Sequence, residues 1–273
     1  MKYIRLFLAV LLFPVLAPIA NADVPPPERL VSRNAAFVLT VPDWNAAVEA
    51  FEKTSTASLL KDPAMKPLLD RIAKDILESL HTATEADKEL VEKFLPLIQG
   101  QVTIVLEDLR DIAENLDAPP LIFIFDVKDK QAELQEFIAL ASKGDGELQV
   151  LREKVAGGEL ITTFAKVKGR PDKPLKMYVA VLGSMLGVSP KKENILDLIR
   201  RKNGDLQNSL ADNPTFRSDH ARFFRNAKGY LWINVEEIIK LAKANIEAPK
   251  AGGGNPFTMA LDVNRLLNAL GLE

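Results

Sequence analysis

The 273-residue sequence contains no cysteine, which excludes a disulfide framework, a thiol nucleophile, an iron–sulfur site and a lipid-modified N-terminal cysteine. Histidine is nearly absent too. The only two, His81 and His220, stand far apart without ligand-spaced companions, so a zinc site has no basis. His81 falls at the end of a helical pattern, where an imidazole meets free carbonyls. Neither charge sign dominates: the formal net charge is −2 with both signs interspersed, and nothing draws the chain generally to nucleic acid or anionic lipid. After the first twenty residues there is no apolar run long enough to span a bilayer.

What is present begins with an address. Residues 1–22, MKYIRLFLAVLLFPVLAPIANA, join a basic head (Lys2, Arg5) to an apolar run broken by Pro14 and Pro18, and end in the small-x-small site Ala20-Asn21-Ala22. The run is too short and too proline-rich for a spanning helix, and no stop-transfer charges follow it. It reads as a Sec-type signal peptide cleaved between Ala22 and Asp23, which makes the protein periplasmic or secreted and not a lipoprotein. Lys2 and Arg5 leave with it, taking the formal charge from −2 to −4.

DVPPPERLVSRN (23–34) reads as a proline-rich, extended and poorly packed lead-in. AAFVLTV (35–41) is a buried strand, and Pro42-Asp43 opens a helix with Ala47, Val48 and Phe51 inward. Asp62-Pro63 starts another, whose stripe runs from Met65 through Leu68, Leu69, Ile72, Ile76 and Leu77 to Leu80. A capping box at 84–87 leads into a stripe of Leu90, Val91, Phe94, Leu95 and Ile98. Strands are expected over 101–106, with Val102, Ile104 and Leu106 on one face, and over 121–127, apolar on both. A helix follows with Leu134, Phe137, Ile138 and Ala141 inward. Residues 149–155, 159–167 and 176–188 read as antiparallel strands turned at Gly157-Gly158 and at KGRPDKP (168–174). Ser189-Pro190 caps a helix carrying Ile195, Leu196 and Ile199. The strand 230–233 and an Asn234 capping box then lead to a helix with Ile238, Ile239, Ala242 and Ile246 inward. A glycine break (251–256) precedes a last stripe of Met259, Val263, Leu266, Leu267 and Leu270.

Blocks of strands and helices without regular βαβ alternation predict an α+β domain, an antiparallel sheet covered by amphipathic helices. It spans 35–273, either as one unit or as subdomains 35–145 and 146–273. SLLKDPAMK (58–66) echoes SLADNPTFR (209–217), either as a duplication or as two similar helix starts. The chain stops just after an amphipathic stripe and a glycine, where a strand would fit, so it reads as either closed there or C-terminally truncated.

Motifs for chemistry mostly fail. Gly183-Ser184-Met185-Leu186-Gly187 has the wrong first spacing for a nucleophile elbow, and the apolar run around it reads as a hairpin or bulge. Glu107-Asp108-Leu109-Arg110-Asp111 reads as a solvated charged turn. The glycines at 252–254 follow a helix and lack the Lys-Ser/Thr of a phosphate loop. No catalytic residue, cofactor or metal is assigned. One patch stands out: residues 216–225, FRSDHARFFR, with Arg217, His220, Arg222 and Arg225 as a candidate binding face and Phe216, Phe223 and Phe224 directed at the core. Arginines so grouped hold carboxylates or phosphates by charge-assisted bonds, whereas an ordinary amphipathic helix with solvated arginines is the plainer account.

The runs AAFVLTVPDW through SLLKDPAMKPLLDRI, then MYVAVLGSMLGVSPKKENILDLI, SLADNPTFR and GYLWINVEEII, resemble a family of large exported bacterial proteins classed as a domain of unknown function. The resemblance implies an exported α+β protein and brings no catalytic residues. The expected role is therefore a non-catalytic envelope protein that binds or scaffolds an envelope protein or ligand through a surface or groove. The alternatives are a periplasmic Asp/Glu-dependent hydrolase and a peripheral membrane-associated factor. No nucleic-acid partner and no integral membrane segment after cleavage are expected.

Overall fold

Period-two alternation becomes an eight-stranded sheet in the computed structural model of the chain, which describes residues 24–71, 92–107, 120–141, 148–167 and 170–240. The strands are β1 (Phe37–Val41), β2 (Val102–Leu106), β3 (Leu121–Asp126), β4 (Leu148–Val155), β5 (Gly158–Val167), β6 (Arg170–Leu182), β7 (Met185–Ser189) and β8 (Tyr230–Ile233). They lie in the order β4-β5-β6-β7-β3-β2-β1-β8, and every pairing is antiparallel. With the helices between them this is an α+β fold. The meander β4–β7 joins the earlier strands through β3, and β8 returns to flank β1, so the sheet draws on both halves of the chain. Among the described residues no helix is long and apolar enough to cross a membrane.

The helices are α1 (Pro27–Leu30), α2 (Trp44–Glu52), α3 (Ser55–Leu60), α4 (Gln131–Ala141), α5 (Lys192–Lys202) and α6 (Pro214–Asp219). Residues 66–71 and 235–240 are also helical. One sheet face carries the larger core: Val38, Val105, Ile122, Ile124, Ala180, Met185 and Trp232 pack against Leu30, Ile195, Leu198, Leu210 and Phe216. Gly187 on β7 lets α5 sit this close, since a Cβ there would stand 2.3 Å from Leu198 Cδ2. The opposite face holds a second cluster, in which Leu134 and Ile138 of α4 meet Ile161, Val181 and Leu186.

Several expectations change. The lead-in is neither extended nor loosely packed. Pro27 sits at the start of α1, where its fixed φ suits a helix, and Leu30 and Val31 are fully buried. Its backbone is tied down by Leu210 N–H donating to Val31 O at 2.8 Å and Arg33 N–H to Asn208 O at 2.8 Å. KGRPDKP is not a long turn: β6 begins at Arg170, and its ladder with β5 continues past an irregularity at Ala165/Val167. The single strand expected over 176–188 is two, split at Gly183, whose φ of +67° makes the turn with Ser184. No residue of α2 is buried, and Val48 and Phe51 are exposed, against the expectation that they face the core. On the Asp62-Pro63 helix, Leu68 is exposed as well, and on α5 it is Leu198, not Leu196, that faces the core. The capping box at 84–87, His81, the glycine break and the last stripe lie outside the described residues.

Candidate functional site

The patch at 216–225 is built from a capped helix start. Asn213 Oδ1 accepts the Phe216 N–H at 3.1 Å, Pro214 occupies the first turn, and Phe216 is driven into the core. Ser209 and Asp212 form a reciprocal capping box on the turn before it. Asp62 caps the Pro63–Met65 turn by accepting from Ala64 N–H at 2.8 Å, so the two echoing segments share the same helix-start chemistry.

After Asp219 the helix widens into a π turn, His220–Phe224. A π turn holds one residue more than an α turn, so the inward face slips by about one position. Phe216, His220 and Phe224 thereby line up against β8. The rings of Phe216 and Trp232 meet edge-on at 5.3 Å, His220 lies 5.5 Å from Phe216 and 5.9 Å from Tyr230, and Phe224 stacks on Tyr230 at 4.7 Å. Trp232 Nε1–H donates to Asp219 Oδ2 at 3.2 Å. His220 therefore belongs to the aromatic cluster and not to the open arginine face. The same slip turns Phe223 outward: it is 61% exposed, against the expectation that it faces the core.

Arg217, Arg222 and Arg225 are all exposed and make no ion pair with any described residue. The Arg222 guanidinium lies over the Phe223 ring at 5.0 Å. An arginine stacked this way keeps its N–H edge free for a carboxylate or phosphate, beside an aromatic surface that suits an apolar side chain.

Two further features escaped the sequence reading. Glu107 is not a solvated turn residue but is buried, its Oε1 accepting Ser32 N–H at 3.2 Å. Burial pushes its carboxyl above the usual range, and the nearby Arg201 guanidinium only partly offsets this. Arg201, itself buried and 3.9 Å from Asp197, donates to Leu30 O at 3.4 Å, so Glu107 and Arg201 each hold a backbone group of the lead-in. The other acids of that run, 108–111, lie outside the described residues. Separately, Tyr230 Oη and Gln101 Nε2 are buried without hydrogen-bond partners among the described residues, on the sheet face that also carries the hydrogen-bonded Thr40–Thr103 hydroxyls, 2.7 Å apart. Burial raises the Tyr230 phenol well above its ordinary value. A tyrosine two residues before a tryptophan in one strand was the available signal for this polar spot. Ser184 is a turn residue whose carbonyl accepts Val127 N–H at 3.0 Å.

The chain matches no family model, no curated protein and no solved structure.

Proposed function

We propose that this is an exported envelope protein that works by contact, not by catalysis, through the arginine-bearing π turn. The observation that carries this reading is the set Arg217, Arg222 and Arg225 on one short segment: exposed and unpaired among the described residues, with Arg222 stacked on the outward Phe223. Exposed arginines beside an exposed aromatic are the residue types enriched at protein contact sites. The fitting partner surface is acidic with an apolar anchor, because guanidinium forks bind carboxylates and the Phe223 ring accepts a side chain. The exported location rests on the signal-peptide order of residues 1–22.

Titration calorimetry with a synthetic Glu/Phe peptide tests the contact reading. The double substitution Arg222→Glu and Arg225→Glu is expected to weaken binding by about tenfold or more, with a shallower salt dependence. Unchanged binding would remove the site. Mass spectrometry of the periplasmic fraction tests the address: a chain beginning at Asp23 supports it, and an intact Met1 in the cytosol overturns it.

A further inference from the structure

The two edges of the sheet are not alike. At one, β4 carries the consecutive charges Arg152, Glu153 and Lys154, all exposed, with Arg152 paired to Glu159 at 3.0 Å. Charges of this kind discourage another strand from pairing. At the other edge, β8 has no charge and no proline between Tyr230 and Ile233. Its ladder with β1 shows which backbone groups remain open. Asn234 N–H donates to Ala36 O at 2.9 Å, and the register pairs Trp232 with Val38 and Tyr230 with Thr40. In an antiparallel pair hydrogen-bonded positions alternate, so the N–H and C=O groups of Leu231 and Ile233 point away from β1, along the free edge. No described residue bonds them. Their side chains lie on the open sheet face beside Leu39 and are 47% and 45% exposed.

We propose that the β8 edge pairs with β8 of a second copy across a two-fold axis, joining two sheets into one of sixteen strands. The register that sets Leu231 against Ile233 of the other copy uses only the outward backbone groups of both. It also brings Lys228 of one copy within reach of Glu236 of the other, twice by symmetry, so the charges flanking the strand are self-complementary. Both of these residues are exposed; Lys228 has no ion pair with a described residue, and Glu236 shares its carboxylate with Lys240, 2.8 Å away on an exposed helical turn. Association closes at two copies because the charged β4 edge offers no second site.

Analytical ultracentrifugation of the chain as cells process it tests this, with a dimer expected at about 100 μM and below. Ile233→Pro removes one outward N–H and leaves the β1 ladder intact, since proline is tolerated where the N–H faces away from the sheet. It is expected to raise the dissociation constant by about tenfold or more. Lys228→Glu and Glu236→Lys should each weaken the dimer and together restore it, which a mere loss of folding would not do. Amide exchange should show Leu231 and Ile233 protected only at dimer concentrations. A monomer throughout, or a dimer indifferent to Ile233→Pro, overturns the proposal. Protection of those amides in a monomer would assign the edge to residues 241–273 of the same chain and overturn it equally.

Discussion

Phe216 and Phe223 sit seven residues apart on one segment with opposite environments, one almost wholly buried and the other open. Phe216→Ala is expected to cost about 3–5 kcal/mol, lowering Tm by about 6–20 °C, because its rings' contacts with His220, Tyr230 and Trp232 go with it. Phe223→Ala should stay within about 0.5 kcal/mol of the parent. Thermal melts separate the two, and equal losses would mean the π turn does not set the phase. Seven residues return a helix nearly to the same face, so periodicity alone places both phenylalanines inward. The inserted π residue has no periodic signature. Glu107 makes a second residue-scale case. A carboxyl raised in the folded state adds stability that is complete below its unfolded value, near 4.5, and is lost as pH climbs through the folded value. Urea unfolding should therefore show stability falling above about pH 4.5, and Glu107→Gln, which still accepts Ser32 N–H, should flatten that limb. A pH profile unchanged by the substitution would show that Glu107 stays charged. A glutamate just after a strand, in a run of charges, reads as solvated. Only the lead-in folding back over it takes it out of water.

At the scale of elements, local chemistry was the most legible. Asp43, Asp62, Asn213 and Asn234 all cap the turns or helices that begin at them, because a side-chain oxygen there meets otherwise unpaired N–H groups. Asn213 does more, donating from Nδ2 to Arg33 O at 3.3 Å and so holding the lead-in. Asn213→Ala should cost about 1–2 kcal/mol in urea titrations. Asn213→Asp, which keeps the cap and loses the donor, should cost less. Equal losses would show the tie to Arg33 to be the larger part. Helix faces were less legible than helix starts. The stripes of α2 and of the Asp62-Pro63 helix are amphipathic, yet Phe51 and Leu68 remain exposed, since a stripe states what a helix is able to bury and not what lies opposite it. The proline-rich lead-in was misread for the converse reason: its composition suggests an extended tail, but Leu30 and Val31 find a finished core to enter.

For the whole molecule, the seam between β3 and β7 matters most. It runs through the middle of the sheet and joins strands from the two halves of the chain with four paired positions, Phe123 to Asp126 against Val188 to Met185. Strands so joined are expected to unfold together. The two tryptophans report on different parts, Trp44 at the start of α2 and Trp232 on β8. Variants retaining one tryptophan each should give coincident urea transitions, matching far-ultraviolet circular dichroism. Separate midpoints would mean that the halves are independent units.

The amino-acid sequence alone determined the composition limits, the blocks of strands and helices that make the class α+β, and the helix starts at Asp43, Asp62 and Asn234, though not one at Ser189, which ends β7 while α5 begins after Lys191 without a side-chain cap. Each of these depends on a residue and its near neighbours in the chain. It also marked residues 216–225 as the charged aromatic segment. Tertiary structure decided the strand order, which puts β8 beside β1 with no described strand on its other edge, and the burial of Glu107 and Arg201 beneath the lead-in. It likewise turned Phe223 and the arginines out while drawing His220 in among Phe216 and Tyr230. These outcomes depend on what packs opposite each side chain, and residues distant in sequence supply it.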